Sequence, residues 1–227
     1  MNKNKEIYSE MVSYVGKKLR DHFGKGPTSI YITLNKPYIT IYLRDFLAPM
    51  ERILVERNEV KRVEETRDLI MVDLLPELSR MLSQIADVNI NKLYYNWSLE
   101  NQSGMIFGVI NEQNIIPPSW PSYLNEEAFR QEVIILTKKG QKAPEQTELF
   151  WLSERTIVVK RKGIFVRIEK ELIKNGYVEE LKLTKRPMEK ELVAEANLEP
   201  LLQKKIQDIF VDWDVDDDVG YIVLVTE

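Results

Sequence analysis

The turn Gly24-Lys25-Gly26-Pro27 is the first place in this 227-residue sequence where residue types and spacing could bind a ligand. Glycine-rich turns expose backbone N–H groups, and the Lys25 ammonium adds positive charge, so the turn could hold an anion. However, it follows a helical pattern instead of opening one, and it lacks the Gly-Lys-Ser/Thr of phosphate-binding loops. The pattern favours a helix end before a strand, with Gly24, Lys25, Gly26 and Pro27 as candidate ligand-binding residues.

A second dense group consists of five aspartates between Asp212 and Asp218. An EF-hand calcium loop requires Gly at position 6 and Glu at position 12. A loop that starts at Asp214 has Val219 and Val225 at those positions, and a loop that starts at Asp212 fails in the same way. We expect a solvated hairpin turn, no metal site and no cofactor. Weak divalent-ion binding by this cluster stays open as an alternative.

Catalytic chemistry has few residue types available in this chain. It contains no Cys and a single His, His22, which excludes disulfide scaffolds, Cys-ligated zinc and thiol catalysis. The acidic residues from Glu51 to Asp68 alternate with Arg and Lys, which is typical of a solvated helix with i,i+4 ion pairs. Because no nucleophile, base and stabiliser can be picked out together, we expect a protein that is not an enzyme.

Positive charge is concentrated between Lys138 and Lys190, where 14 basic residues face 8 acidic ones, although the whole chain carries a net charge of −4. The run Lys160-Arg161-Lys162 is its densest part, and Trp120 lies in a proline-rich segment nearby in sequence. These four residues are candidates for docking a partner, such as anionic lipid, an acidic protein or nucleic acid. The acidic overall balance argues against nucleic acid as the partner.

The elements that must position these residues follow one order twice: helix, hairpin, helix, hairpin. In the first half, Ile7, Met11, Val15 and Leu19 recur at helical spacing, and two alternating runs before residue 44 indicate a hairpin. A second helical pattern contains Pro76, so this helix either kinks there or restarts after Asp73. A second hairpin ends near Ile110. The segment from 113 to 124 is rich in proline and breaks the periodicity.

The second half repeats these features in the same order, which predicts an internal duplication. The glycine-to-proline turn recurs at Gly140–Pro144, and each half has a Trp seven residues before a Gly that opens an apolar strand. We therefore predict an α+β protein with modules at 1–112 and 125–227, joined by a linker at 113–124. Each module is expected to be an antiparallel sheet with helices packed on one face.

One difference between the halves concerns the last hairpin. If Pro76 corresponds to Pro200, the interval from this proline to the following Trp is 21 residues in the first half and 13 in the second. This shorter interval predicts that the counterpart of the strand Lys92–Trp97 is reduced or lost in the second module.

No apolar stretch reaches the length of a membrane span, about 18 residues or more, and no apolar segment follows the charged N-terminus. The expectation is a cytoplasmic protein without a transmembrane segment, which could be peripheral to the inner face of the membrane.

These residues resemble the MpsC-type domain, a bacterial family named for a Na⁺-translocating, membrane-potential-generating system. The resemblance rests on the Gly24–Pro27 turn after a helix, the strand run ITIYLRDFLAPMERIL, and the helix with Pro76-Glu77-Leu78. It covers about residues 7–110 closely and 128–227 loosely, which indicates a tandem two-copy form. Asp45 stands where the family favours Gly, and Ala48 where it favours Thr, whereas Gly163 keeps the glycine in the second copy.

The resemblance implies a non-enzymatic accessory or regulatory role, docked from the cytosol to a membrane ion-translocating complex. The family supplies no catalytic residues to carry over. A cytosolic small-ligand or anion sensor that uses the Gly24–Pro27 turn is the first alternative, and a nucleic-acid-binding module is the second. The sequence also leaves a homo-oligomer open.

Overall fold

The structure, a computed structural model, describes residues 3–113 and 115–227. The chain divides into two compact units, unit 1 (1–117) and unit 2 (118–227), and the division falls inside the predicted linker. Each unit contains a four-stranded antiparallel sheet with helices packed against it, which confirms the predicted α+β class. In the part of the chain that is described, no helix is both long and apolar enough to cross a membrane.

Unit 1 follows the order helix, hairpin, two helices, hairpin. Its elements are α1 (Lys3–Phe23), β1 (Ser29–Asn35), β2 (Tyr38–Arg44), α2 (Pro49–Glu56), α3 (Val60–Ala86), β3 (Ile90–Ser98) and β4 (Ser103–Ile110). The strands lie in the order β1-β2-β4-β3, so the two hairpins pair through β2 and β4.

Unit 2 repeats this arrangement with one additional short helix. Its elements are α4 (Glu126–Gly140), β5 (Gln146–Ser153), β6 (Thr156–Lys162), α5 (Arg167–Lys174), α6 (Val178–Glu195), α7 (Leu198–Leu202), β7 (Ile206–Asp214) and β8 (Val219–Thr226). The strand order β5-β6-β8-β7 has the same topology as that of unit 1.

The strand registers show that the halves correspond residue by residue. Leu43 pairs with Gly104 across β2 and β4, and Arg161 pairs with Gly220 across β6 and β8. Each of these glycines also pairs with the Trp of the neighbouring strand. Strands β3 and β7, the outer strands of the last hairpins, each carry a register shift after their first residue, at Ile90 and at Ile206. Two independent chains would not be expected to share these irregularities.

The predicted loss of a strand in the second module was wrong. Strand β7 has nine residues, as many as β3. The error came from equating two prolines: α3 runs without interruption through Pro76, whereas Pro200 lies in the separate helix α7. Helices α6 and α7 together take the place of α3 between the short helix and the last hairpin. The shorter interval therefore reflects a broken helix and not a missing strand.

The helices pack on each sheet through the apolar positions that their spacing predicts. In α1, Met11, Val15 and Leu19 are fully buried in the core of unit 1, which confirms the four-residue repeat. Asn125 caps α4 by accepting the N–H of Ala128 at 3.0 Å, as its position before two acidic residues indicates.

Candidate functional site

The Gly24–Pro27 turn ends α1 and contacts the segment that leads into α2. Gly24 has a φ of +70°, in the left-handed region that favours glycine, so the helix stops there. The Lys25 Nζ donates a hydrogen bond of 3.1 Å to the carbonyl oxygen of Leu47, one residue before Ala48, the N-cap of α2. The ammonium that could attract an anion is thus directed at the protein's own backbone. Ligand binding by this turn stays a prediction.

The basic run Lys160-Arg161-Lys162 does not present one continuous charged surface, because successive side chains of a strand point to opposite faces. Arg161 is fully buried, with its Nη2 2.6 Å from a carboxylate oxygen of Glu189. The prediction that Arg161 contacts a partner was therefore wrong. The Lys160 Nζ lies 2.8 Å from a carboxylate oxygen of Glu148 on the neighbouring strand β5. Lys162 is exposed. Lys160 and Lys162 stay predicted docking residues.

Trp120, which precedes α4, packs inside unit 2. Its ring centroid lies 5.1 Å from that of Phe129 and 5.2 Å from that of Trp151, and the residue is half-buried. The indole N–H has no hydrogen-bond partner among the described residues. Much of the ring therefore serves packing inside the chain, and its predicted role as a docking residue is not tested by these contacts.

The aspartates from 212 to 218 perform separate structural tasks. The carboxylate of Asp212 is 2.9 Å from the Lys182 Nζ. Asp214 accepts the N–H groups of the two middle residues of the turn. Asp218 accepts the two N–H groups of residues 164 and 165, before α5, at 2.9 Å, and it pairs with Lys170. Burial by itself would raise the pKa of Asp218. The hydrogen bonds from Lys170 and from the backbone together lower the pKa by more than burial raises it, so the net shift is downward. No three metal-ligating side chains converge in the described residues.

The most distinctive polar feature of unit 1 is a guanidinium inside its core, which we term the Arg67 centre. Arg67 on α3 is fully buried and forms a bidentate ion pair with Glu51 on α2, with both N···O distances at 2.7 Å. Its Nη2 also donates to the carbonyl oxygen of Phe46 at 2.8 Å. The rings of Phe46, Trp97 and Phe23 lie 4.6–5.5 Å from the guanidinium carbon, within cation–π range.

Unit 2 has a cation at the same position, which we term the Lys185 centre. Lys185 on α6 is buried, and its Nζ lies 2.7 Å from a carboxylate oxygen of Glu169 on α5. The ammonium lies 4.5 Å from the ring centroid of Phe165 and 5.3 Å from that of Trp213. In both units the acidic partner also accepts the backbone N–H at the start of its own short helix, at 2.7 Å in unit 1 and 2.8 Å in unit 2. Each centre therefore joins the short helix to the long one.

The Lys185 centre continues into a larger buried network, which is built on positions that are apolar in unit 1. Glu189, one helical turn after Lys185, accepts hydrogen bonds from Arg161 at 2.6 Å, from Gln141 at 2.8 Å and from the Trp213 indole N–H at 3.1 Å. Arg161 in turn donates to the hydroxyl of a threonine on α4 at 3.2 Å. At the corresponding positions of unit 1, the chain has apolar residues: Phe23, Leu43 and Met71.

Electrostatics favour the ionised form of Glu189. Burial would raise the pKa of Glu189, but the nearby charges of Arg161 and Lys185, with the hydrogen bonds from Arg161 and Trp213, lower it below its usual value. The two cations and the two carboxylates balance each other inside the core, which is the condition under which buried charges are tolerated.

Sequence reasoning missed both centres, because Glu51 and Arg67 were attributed to a solvated helix. A signal was nevertheless present. The acid precedes the cation by 16 residues in both halves, in Glu51 and Arg67 as in Glu169 and Lys185. Since the two pairs follow equivalent hairpins, the repeated spacing could have marked them as partners. Ion pairs enclosed in this way position helices, and they offer no open surface to a substrate.

Comparison with known proteins gives one match. No curated protein and no solved structure matches the chain. The model of one family, described as the Na⁺-translocating membrane potential-generating system (MpsC), matches residues 3–112 and again residues 125–227. The two matched segments coincide with the two repeated units, each with its buried cation centre. The chain therefore belongs to the MpsC family, in a tandem two-copy form.

Proposed function

We propose that this protein is a non-catalytic accessory or regulatory component of a bacterial Na⁺-translocating, membrane-potential-generating system, to which it docks from the cytosol. The observation that carries the proposal is the family match over both halves of the chain, which together include most of its residues. The family's description supplies the membrane system, and the accessory role is our inference.

The arrangement of charges supports a role in binding over a role in catalysis. In each of the Arg67 and Lys185 centres, acidic and basic side chains lie in the core and pair with each other. A catalytic group must be within hydrogen-bond reach of a substrate. Side chains enclosed in this way, with their atoms used to join helices, suit a rigid scaffold that presents its surface to a partner.

The docking residues that the structure leaves at the surface are Lys160 and Lys162. Rim charges of this kind steer association and set its salt dependence more than they set affinity. We therefore expect the interaction with the membrane complex to weaken as ionic strength rises. This salt dependence should be stronger in the unsubstituted protein than in a variant that lacks the charges of these two lysines.

The test is capture of the tagged full-length protein from gently solubilised membranes of its native bacterium, followed by mass spectrometry. We expect recovery of an ion-translocating membrane subunit. Recovery should fall in a variant with both Lys160→Glu and Lys162→Glu. The matched control reverses the charge of two exposed lysines at the end of α4, in the variant Lys138→Glu with Lys139→Glu. This control should recover the subunit normally.

A second measurement addresses the physiological role. Deletion of the gene should lower the Na⁺-dependent component of the membrane potential, and the unsubstituted protein should restore it. A preparation with no membrane subunit, together with an unchanged membrane potential in the deletion strain, would overturn the proposal and favour a sensor. Binding of phosphate or bicarbonate, abolished by Lys25→Ala, would then be the next experiment.

A further inference from the structure

The outer face of α3 carries an apolar stripe that the core does not use. Leu69, Val72 and Pro76 are spaced at i, i+3 and i+7, which places them on one side of a helix. Leu69 is 74% exposed and Val72 65%, among the largest values for apolar residues of the described helices, and Pro76 is exposed as well. The opposite face of α3, with Met71, Leu74 and Leu78, is buried in the core, as an amphipathic helix requires.

The corresponding helix of unit 2 has no such stripe. Nine and twelve residues after its first residue, α3 has Leu69 and Val72, whereas α6 has Pro187 and Lys190. The two units therefore share their core positions but differ on this surface. In unit 2 a lysine interrupts the apolar positions where unit 1 has Val72, so the continuous exposed apolar stripe is specific to unit 1 and indicates a binding surface there.

The geometry points to a second copy of this chain as the occupant: we propose that two copies associate through their α3 helices, packed antiparallel about a twofold axis. The axis would pass between Val72 and Asp73. Leu69 and Pro76 are equally distant from this point along the helix, so Leu69 of one copy meets Pro76 of the other. Such an isologous contact uses the same surface on both copies and closes as a dimer.

The charges beside the stripe fit this arrangement. Glu65 and Arg80 are also equally distant from the axis, on opposite sides of it, and both are exposed. Antiparallel packing thus places each Glu65 beside the Arg80 of the other copy, about 11 Å along the helix from the axis. The two Asp73 carboxylates approach each other near the axis and repel. One helix pair also buries less than the roughly 1,200–2,000 Å² of a standard stable interface, so the dimer is weak and concentration-dependent.

The proposal is tested by sedimentation velocity on the full-length protein over a wide concentration series, with circular dichroism to verify folding of each variant. We expect a monomer–dimer equilibrium in the unsubstituted protein. Leu69→Glu should raise the dimer Kd by at least about tenfold, because it places a charge in the apolar contact. The matched control is Ile135→Glu, at a half-exposed apolar position on α4, which should leave the Kd unchanged.

Charge exchange tests the antiparallel arrangement itself. Glu65→Arg and Arg80→Glu should each weaken the dimer, and the double variant should restore it. Asp73→Asn should strengthen it by removing the repulsion at the axis. A protein that is monomeric at every concentration, a dimer indifferent to Leu69→Glu, or a double variant that stays weakened would each overturn the proposal. These results are independent of whether a membrane subunit is captured, since that test depends on unit 2 lysines.

Discussion

The two units solve the same structural problem, a buried cation between a short helix and a long one, with different chemistry. Unit 1 uses Arg67, whose planar guanidinium forms two hydrogen bonds to one carboxylate and a third to a carbonyl, and lies within cation–π range of three rings. Unit 2 uses Lys185, a compact ammonium that needs several separate acceptors. It obtains them from Glu169 and Gln141.

The difference between the two centres shows that a change of residue at one core position requires changes at neighbouring positions. With Gln141 in place of a phenylalanine and Glu189 in place of a methionine, unit 2 acquires an additional buried negative charge. Arg161, at the position of Leu43, neutralises it at 2.6 Å. Unit 1 keeps an apolar and aromatic surrounding, because its single bidentate pair leaves little charge to be compensated. The core of unit 2 is therefore a linked set of polar residues, in which each depends on the others.

The largest expected effect follows from breaking that set. Glu189→Met, which places the unit 1 residue in unit 2, leaves Arg161 with no carboxylate and should lower the free energy of unfolding by about 3–5 kcal/mol. Urea denaturation measures it. The control is the double variant Arg161→Leu with Glu189→Met, which removes both charges and should regain most of the loss. A double variant as unstable as the single one would show that an unpaired charge is not the cause.

A smaller effect is expected when the unit 1 cation is replaced by that of unit 2. Arg67→Lys loses the bidentate geometry and the bond to the Phe46 carbonyl, and the positions of Gln141 and Glu189 are occupied in unit 1 by Phe23 and Met71, which cannot replace them. We expect a loss of about 2 kcal/mol in the free energy of unfolding. Arg52→Lys, at an exposed position of α2, serves as the control and should change little. Equal stability of the Arg67→Lys variant would contradict the importance of the guanidinium geometry.

Substitution by alanine should destabilise the protein to different extents at the two glycines that pair with the tryptophans, Gly104 and Gly220. A Cβ at Gly104 would lie 2.5 Å from two ring atoms of Trp97, which is packed beside Arg67. At Gly220 the closest atom, at 2.4 Å, is the terminal methyl of Ile164, which can move. Gly104→Ala should cost about 1–3 kcal/mol and Gly220→Ala less, measured by thermal or urea unfolding. The reverse order would mean that the ring of Trp97 is less constrained than its contacts indicate.

The smallest effect is a gain that both units should share. Ala48 and Val166 occupy the N-cap positions of α2 and α5 in extended conformation, and neither has a side-chain oxygen to accept the free N–H groups. Thr at either position should raise the free energy of unfolding by about 0.5–1 kcal/mol. Ala48→Val has the shape of Thr without the hydroxyl and should give no gain. If the Val variant is stabilised equally, size and not capping is responsible.

Local pattern in the sequence was sufficient for α1, the first-half hairpins and the duplication, but not for the short helices α2, α5 and α7. The four-residue apolar repeat of α1, the glycine at its end and the alternating hairpin strands each act over a few residues, so their consequences can be read without the fold. The same holds for Asp45 and Gly163, which occupy equivalent left-handed positions, with φ of 52° and 70°. The absence of Cys and the single His likewise limited the available chemistry from the outset.

Tertiary structure alone decided which charged residues are buried. Glu51 and Arg67 look like their solvated neighbours in sequence, and Lys160-Arg161-Lys162 looks like a uniform basic patch. Burial of a charge depends on a partner brought from another element, here 16 residues along the chain for the cation centres and 28 residues for Arg161 and Glu189. Since Coulomb attraction and desolvation act through space and not along the chain, only the packed helices and strands could assign these roles.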